Sequence, residues 1–194
     1  VWMVTVFGQP STPKIISLSL DGNQFEIYNK ISRNYSHSFL FESLTGPEEL
    51  AETSIMGFDP EFIVKGYYDR VTIENRDGNI ETITTTDPLN KIKELVLKTS
   101  DQTYRYLGGA VGHINYDAIR LWEKIPKTHP TDEPIMEFGI YTDGILFDNK
   151  QKKSFYFYYE RNRVDEIKSS ESKFNEFAMS EITSNLDEEK FTRI

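Results

Sequence analysis

Glu42-Ser43 sets a carboxylate beside a hydroxyl at the end of an apolar run, Ser38-Phe39-Leu40-Phe41. Such a pair is suited to gripping an ammonium group, because a charge-assisted hydrogen bond is about twice as strong as a neutral one. On the residues alone, a polar strand end facing solvent is the favoured reading. A second dense stretch is LGGAVGHINYDAIRLWEKIP, residues 107–126, with three glycines, a Tyr-Asp pair, an arginine and a tryptophan. Within it Asp117 and Arg120 have the types needed to act on a substrate. Their spacing also suits a helix cap at Asp117, with Arg120 paired to Glu123 or docked on a neighbouring surface.

Other reactive groupings are missing from the sequence. The histidines His37, His113 and His129 are scattered, and none pairs with another ligand at helical spacing, so no metal site is expected. There is no GxSxG elbow, no GxxxxGK[ST] loop and no dinucleotide fingerprint. GGAVG lacks the lysine of a phosphate loop. Its glycines read instead as strand positions where another backbone approaches closely. The residues themselves therefore announce no active site.

Composition narrows the classes. The 194 residues suit one domain, or one domain with a tail, and 38% hydrophobic content with 13 Phe and 11 Tyr is enough for a core. A formal charge of −9, with no Lys/Arg-rich run to offset it, opposes binding to a phosphate backbone, so no nucleic-acid partner is expected. The sequence has no cysteine, which removes disulfide and thiolate chemistry and makes a cytoplasmic location the expectation. No apolar run approaches the roughly 20 residues of a membrane span, and no signal-peptide pattern opens the chain.

The elements that must position these residues mix strands and helices. WMVTVF (2–7), KIISLSL (14–20) and HSFLFESL (37–44) have strand character, and NQFEIYNKIS (23–32) has a weak helical period with Asp21 as its N-cap. Residues 70–86 read as a hairpin. A three-residue loop, Arg76-Asp77-Gly78 with Gly78 left-handed, sets Val71 opposite Ile83 and keeps both on one face. DPLNKIKELVLKT (87–99) predicts a helix capped by Asp87, with Pro88 in its first turn and Leu89, Ile92, Leu95 and Val96 buried. GGAVGHINY predicts a strand, followed by a short helix whose Ala118, Leu121, Trp122 and Ile125 share a face, with Trp122 as a core anchor. IMEFGIY (135–141), GILFD (144–148) and SFYFYYE (154–160) predict three more strands, the last two joined by the turn NKQKK and the last buried on both faces. Residues 161–194 read as a charged, solvated helical linker after a domain spanning 1–160, and the chain reads as a piece of something longer. The fold class is α+β, a largely antiparallel sheet flanked by a few helices.

Two stretches carry a resemblance. Leu40-Phe41-Glu42-Ser43 resembles the Leu-Leu-Glu-Ser motif near the N-terminus of the large subunit of anthranilate synthase, of the chorismate-utilising superfamily. Gly108-Gly109-Ala110-Val111-Gly112, with Tyr116-Asp117-Ala118-Ile119-Arg120 and Trp122-Glu123, resembles that family's GG-x-x-G-Y … YD-x-x-R segment. Between them, Gly57-Phe58-Asp59-Pro60 falls where the family has a short glycine-containing strand. The resemblance spans about residues 20–194. Relatives that make aminodeoxychorismate or isochorismate-derived products share parts of the pattern, and a free-standing ligand-binding or interaction module of common ancestry would share it too. The YDAIRLWEKIP wording is closer to the anthranilate branch. Three positions depart: Phe41 for a leucine, Ala51-Glu52-Thr53-Ser54 where Arg-Tyr-Ser is common, and His113 where tyrosine is frequent.

The resemblance implies a lyase subunit of tryptophan biosynthesis that converts chorismate to anthranilate and pyruvate. It implies magnesium in the parent enzyme and ammonia from a glutamine amidotransferase subunit. It places the chorismate and magnesium residues in a C-terminal catalytic domain, so no catalytic or metal residue is assigned to this chain. It gives Glu42 and Ser43, with Leu40 as an apolar wall, a part in binding inhibitory L-tryptophan. It leaves Gly108, Gly109, Gly112, Tyr116, Asp117, Arg120 and Trp122 as motif residues of scaffold and interface. Apolar surface left uncovered by the second domain would favour homo-oligomers.

Overall fold

The computed structural model describes residues 11–43, 53–101, 103–126 and 132–172. The strand expected at 2–7, His129 and Ala51-Glu52 lie outside these residues. The described chain forms two five-stranded antiparallel sheets with helices against them, an α+β arrangement.

The first sheet runs β1 (Lys14–Leu18), β10 (Lys153–Tyr158), β9 (Asp143–Asp148), β3 (Thr53–Phe58), β2 (Ser38–Phe41). Period-2 alternation sends Ile145, Phe147, Tyr156 and Tyr158 to one face, where helices α1 (Gln24–Ser32) and α3 (Val164–Ser172) supply Ile27, Ile31 and Ile167. Leu146 and Phe157 point to the other face and meet Leu107, Tyr104 and Tyr106. The aromatic strand is thus buried on both sides, as its run of apolar residues predicts.

The second sheet runs β6 (Ile80–Thr84), β5 (Arg70–Asn75), β4 (Phe62–Gly66), β8 (Met136–Tyr141), β7 (Gly109–Ile114). Val71 pairs with Ile83 and Gly78 has φ +78°, so the three-residue hairpin loop holds. Helix α2 (Pro88–Leu95) packs Ile92 and Leu95 on this sheet, and the Asp87 side chain accepts from the Asn90 amide as its cap. Helix α1 is capped by Asn23 rather than Asp21. Asn23 and Glu26 form a reciprocal capping box, which the Gly22 turn brings into place two residues later than expected. No described helix is long and apolar enough to cross a membrane.

Burial of phenols gives the fold a pH signature. Loss of solvation pushes the Tyr141 hydroxyl up to about 12 and raises Tyr106 and Tyr156 for the same leading reason. Unfolding returns each to about 10. The neutral phenols therefore stabilise the fold fully below pH 10, and that contribution is lost as pH rises through 12. Tyrosinate absorbance at 295 nm is expected to jump together with loss of near-ultraviolet circular dichroism in that window. Exposed phenols such as Tyr116 ionise near pH 10 in either case. Complete ionisation of every tyrosine near pH 10 with the dichroism intact is the result that would show the buried rings are open to water.

Candidate functional site

Glu42 and Ser43 follow β2, an edge strand hydrogen-bonded to β3, in the register Leu40 to Met56 and Phe41 to Ile55. The chain then needs fixing, and a buried hydroxyl does it: the Ser43 amide donates to Ser54 Oγ at 3.0 Å, and Ser54 is fully buried in β3. Asn149, just past the end of β9, donates from Nδ2 to the Ser43 carbonyl and to Ser54 Oγ, both at 3.3 Å. Its Oδ1 accepts from Gln24 Nε2 at 2.6 Å.

These residues surround an open cleft of about 630 Å³. Ile27 and Phe147, both nearly buried, give it a small apolar floor. Glu42 and Ser43 form one wall, and Lys152 and Lys153 of the β9–β10 hairpin lie on its rim. Acid, hydroxyl and ammonium groups around a small apolar floor suit a compact zwitterion better than an extended polyanion. Leu40 does not line the cleft; it packs against the helix-side core cluster. Gln24, Ser54 and Asn149 carry no sequence signal, since each is an ordinary polar residue at an element's end or within a strand.

The glycine motif is structural here. Gly108 has φ +93°, and a Cβ there would meet the Tyr141 carbonyl oxygen at 2.7 Å. A Cβ on Gly112 would lie 2.0 Å from the Glu137 carbonyl oxygen, so only glycine lets β7 pair with β8 in this register. Gly109, also at positive φ, opens the strand.

The segment after β7 differs from the expected α-helix. Tyr116–Leu121 is a 3₁₀ helix, with Asn115 at its N-cap and Asp117 inside its first turn. At three residues per turn Leu121 stacks over Ala118, but Trp122 swings off that face. Ala118 is buried while Trp122 is 60% and Tyr116 85% exposed, so Trp122 is no core anchor. Arg120 pairs with Asp117, not Glu123, and the Asp117 carbonyl accepts from the Tyr68 hydroxyl. Among the described residues that line the cleft, neither Asp117 nor Arg120 is present.

A separate cluster sits where the chain crosses between sheets. Arg163, which the sequence places in a solvated linker, has no exposed side chain and bonds Asp143 and Asp59.

No family model matches the chain. Anthranilate synthase component 1 of Methanothermobacter thermautotrophicus is 32% identical over 143 residues, 74% of this chain and 30% of that protein. The Leptospira biflexa protein of the same name is 31% identical over 162 residues, 81% of this chain and 34% of that protein. The chain is a homologue of anthranilate synthase component I over most of its length. It spans about a third of the length of those curated relatives. A crystal structure of anthranilate synthase component I from Streptococcus pneumoniae matches 78% of this chain and 33% of its own, at TM-score 0.46 and 23% identity. Anthranilate synthase resemblance brings an expectation of magnesium. Among the described residues no three His, Asp or Glu side chains gather into a group that could hold a metal ion.

Proposed function

We propose that this chain is the regulatory and structural N-terminal part of an anthranilate synthase large subunit. The parent enzyme would convert chorismate and ammonia to anthranilate and pyruvate in tryptophan biosynthesis, with ammonia from a glutamine amidotransferase subunit. Chorismate chemistry is assigned to a further domain of that polypeptide, and the location to the cytoplasm. The role of the present residues is to form one wall of a tryptophan feedback site.

The observation that carries this reading is Glu42 and Ser43 on the wall of a cleft in a homologue of component I. Glu42 would accept from the ammonium of the amino acid and the hairpin lysines would face its carboxylate. Tryptophan held between this wall and the second domain favours one interdomain arrangement, and activity falls by the difference in affinity between arrangements.

The test is an anthranilate fluorescence assay on the polypeptide of the complete reading frame, with chorismate, magnesium and ammonium. Anthranilate formation that L-tryptophan suppresses is the expected result. Formation without suppression would remove the feedback role, and no product would remove the enzyme assignment. The described apolar floor is too small to desolvate an indole ring alone. Isothermal titration of the 194-residue chain with L-tryptophan should therefore give weak or no heat, and a tight, saturable isotherm would show that the pocket is not shared.

A further inference from the structure

We propose that Asn149 is the positioning residue of this cleft, fixing the Glu42-Ser43 corner through a directional relay of amides. The inference rests on the ligand-binding reading of Glu42 and Ser43. Its basis is hydrogen-bond polarity. The Ser43 carbonyl can only accept, so the Asn149 atom facing it must be Nδ2. That places Asn149 Oδ1 toward Gln24, and Oδ1 can only accept, so Gln24 must present Nε2. Each amide orientation is thus dictated by the one before it, starting at Ser43.

The far end of the relay shows that this order dominates local preference. Gln24 Oε1 is buried without a hydrogen-bond partner, which is unfavourable by itself. Flipping the Gln24 amide would set an oxygen against Asn149 Oδ1 at 2.6 Å, which is worse. The relay also joins parts far apart in the chain: the start of α1, the turn after β9, β3 and the end of β2. Ser43 is held on both sides of its Cα, its amide on Ser54 Oγ and its carbonyl on Asn149. Without Asn149 the Ser43 carbonyl loses this donor, and Glu42 loses part of the fixed backbone from which it faces the cleft.

The experiment uses Asn149→Asp, which keeps shape but replaces the donor with an acceptor. In the polypeptide of the complete reading frame, the L-tryptophan concentration for half-inhibition is measured against each variant's own uninhibited rate. The donor to the Ser43 carbonyl is lost and a carboxylate faces that oxygen instead, so a rise of about tenfold or more is expected, with the thermal midpoint close to wild type. Gln24→Met, which removes the outer end of the relay, should move inhibition in the same direction by less. In the 194-residue chain, hydrogen exchange at the Ser43 amide should quicken in Asn149→Asp. Ser43→Ala is the control for the underlying reading. If Ser43→Ala relieves inhibition while Asn149→Asp and Gln24→Met are inhibited like wild type, the positioning role is overturned and the site stands. Unaltered Ser43 exchange in Asn149→Asp overturns it as well. A wild type indifferent to L-tryptophan, or inhibition that survives Ser43→Ala, overturns both.

Discussion

Replacing Arg163 with alanine should lower unfolding stability by about 3–5 kcal/mol, seen as a loss of roughly 10–15 °C in thermal midpoint. The guanidinium has no solvent-exposed side-chain surface. Nε and Nη2 donate to the two oxygens of Asp143 at 2.8 and 2.7 Å, Nη1 donates to Asp59 at 2.7 Å, and Nη2 also donates to the Phe58 carbonyl at 3.1 Å. Burial opposes the charge, but the hydrogen bond and charge of Asp143, with Asp59 beside it, outweigh that and hold its pKa above the usual arginine value. The large cost of substitution comes from what is left behind. Asp143 is 3% exposed, and without Arg163 its side chain keeps, among the described residues, the Tyr156 hydroxyl at 2.7 Å and Arg76 at 3.7 Å.

The position of the cluster turns a local loss into a global one. Asp59 leads from β3 in the first sheet toward β4 in the second, at φ +47°, and its carbonyl accepts twice from Arg76 of the β5–β6 hairpin. Two arginines therefore clamp the crossover. Urea unfolding followed by circular dichroism measures the effect. The double variant Asp143→Leu with Arg163→Met should lose less than Arg163→Ala, because it buries no orphaned carboxylate. A loss below about 1 kcal/mol for Arg163→Ala would mean that water reaches Asp143.

The same residue marks the limit of what the sequence discloses. Helix α2 and the 70–86 hairpin were legible because their causes are local: an aspartate cap, a first-turn proline, and a glycine able to reach positive φ in a loop whose length sets side-chain parity. Trp122 misled because its apolar spacing fits 3.6 residues per turn, whereas the chain there winds at three. Arg163 sits among charged residues that resemble a solvated helix, whereas the groups its guanidinium bonds lie 20 to 105 residues away in the chain. The candidate site divides likewise. Glu42-Ser43 was readable as a carboxylate and hydroxyl at a strand end. The groups that hold that corner are not readable, because they lie on three other elements, and Asn149 looks like any turn residue. Side-chain chemistry is written locally, but the means of aiming it is a property of the folded contacts.

Glu42→Ala should raise the L-tryptophan concentration for half-inhibition by about 10–100-fold in the polypeptide of the complete reading frame. The magnitude follows from a hydrogen bond to a charged group, about 1.5–3 kcal/mol, at 1.4 kcal/mol per factor of ten. Glu42 is exposed and lines the open cleft, so its removal creates no cavity and orphans no buried partner. The effect should therefore appear in ligand response rather than in folding, unlike that of Arg163. Chemistry separates this from a general loosening of the corner. Glu42→Gln keeps size and one acceptor but not charge, so it should fall between wild type and alanine if the ligand presents an ammonium. Indole-3-propionate, which has the ring and carboxylate but no amine, supplies the complementary arm. It should inhibit wild type weakly and be indifferent to the Glu42 substitutions. Equal sensitivity of Glu42→Ala and wild type to L-tryptophan would show that the carboxylate does not face the ammonium, and the cleft would lose its claim to the amino acid.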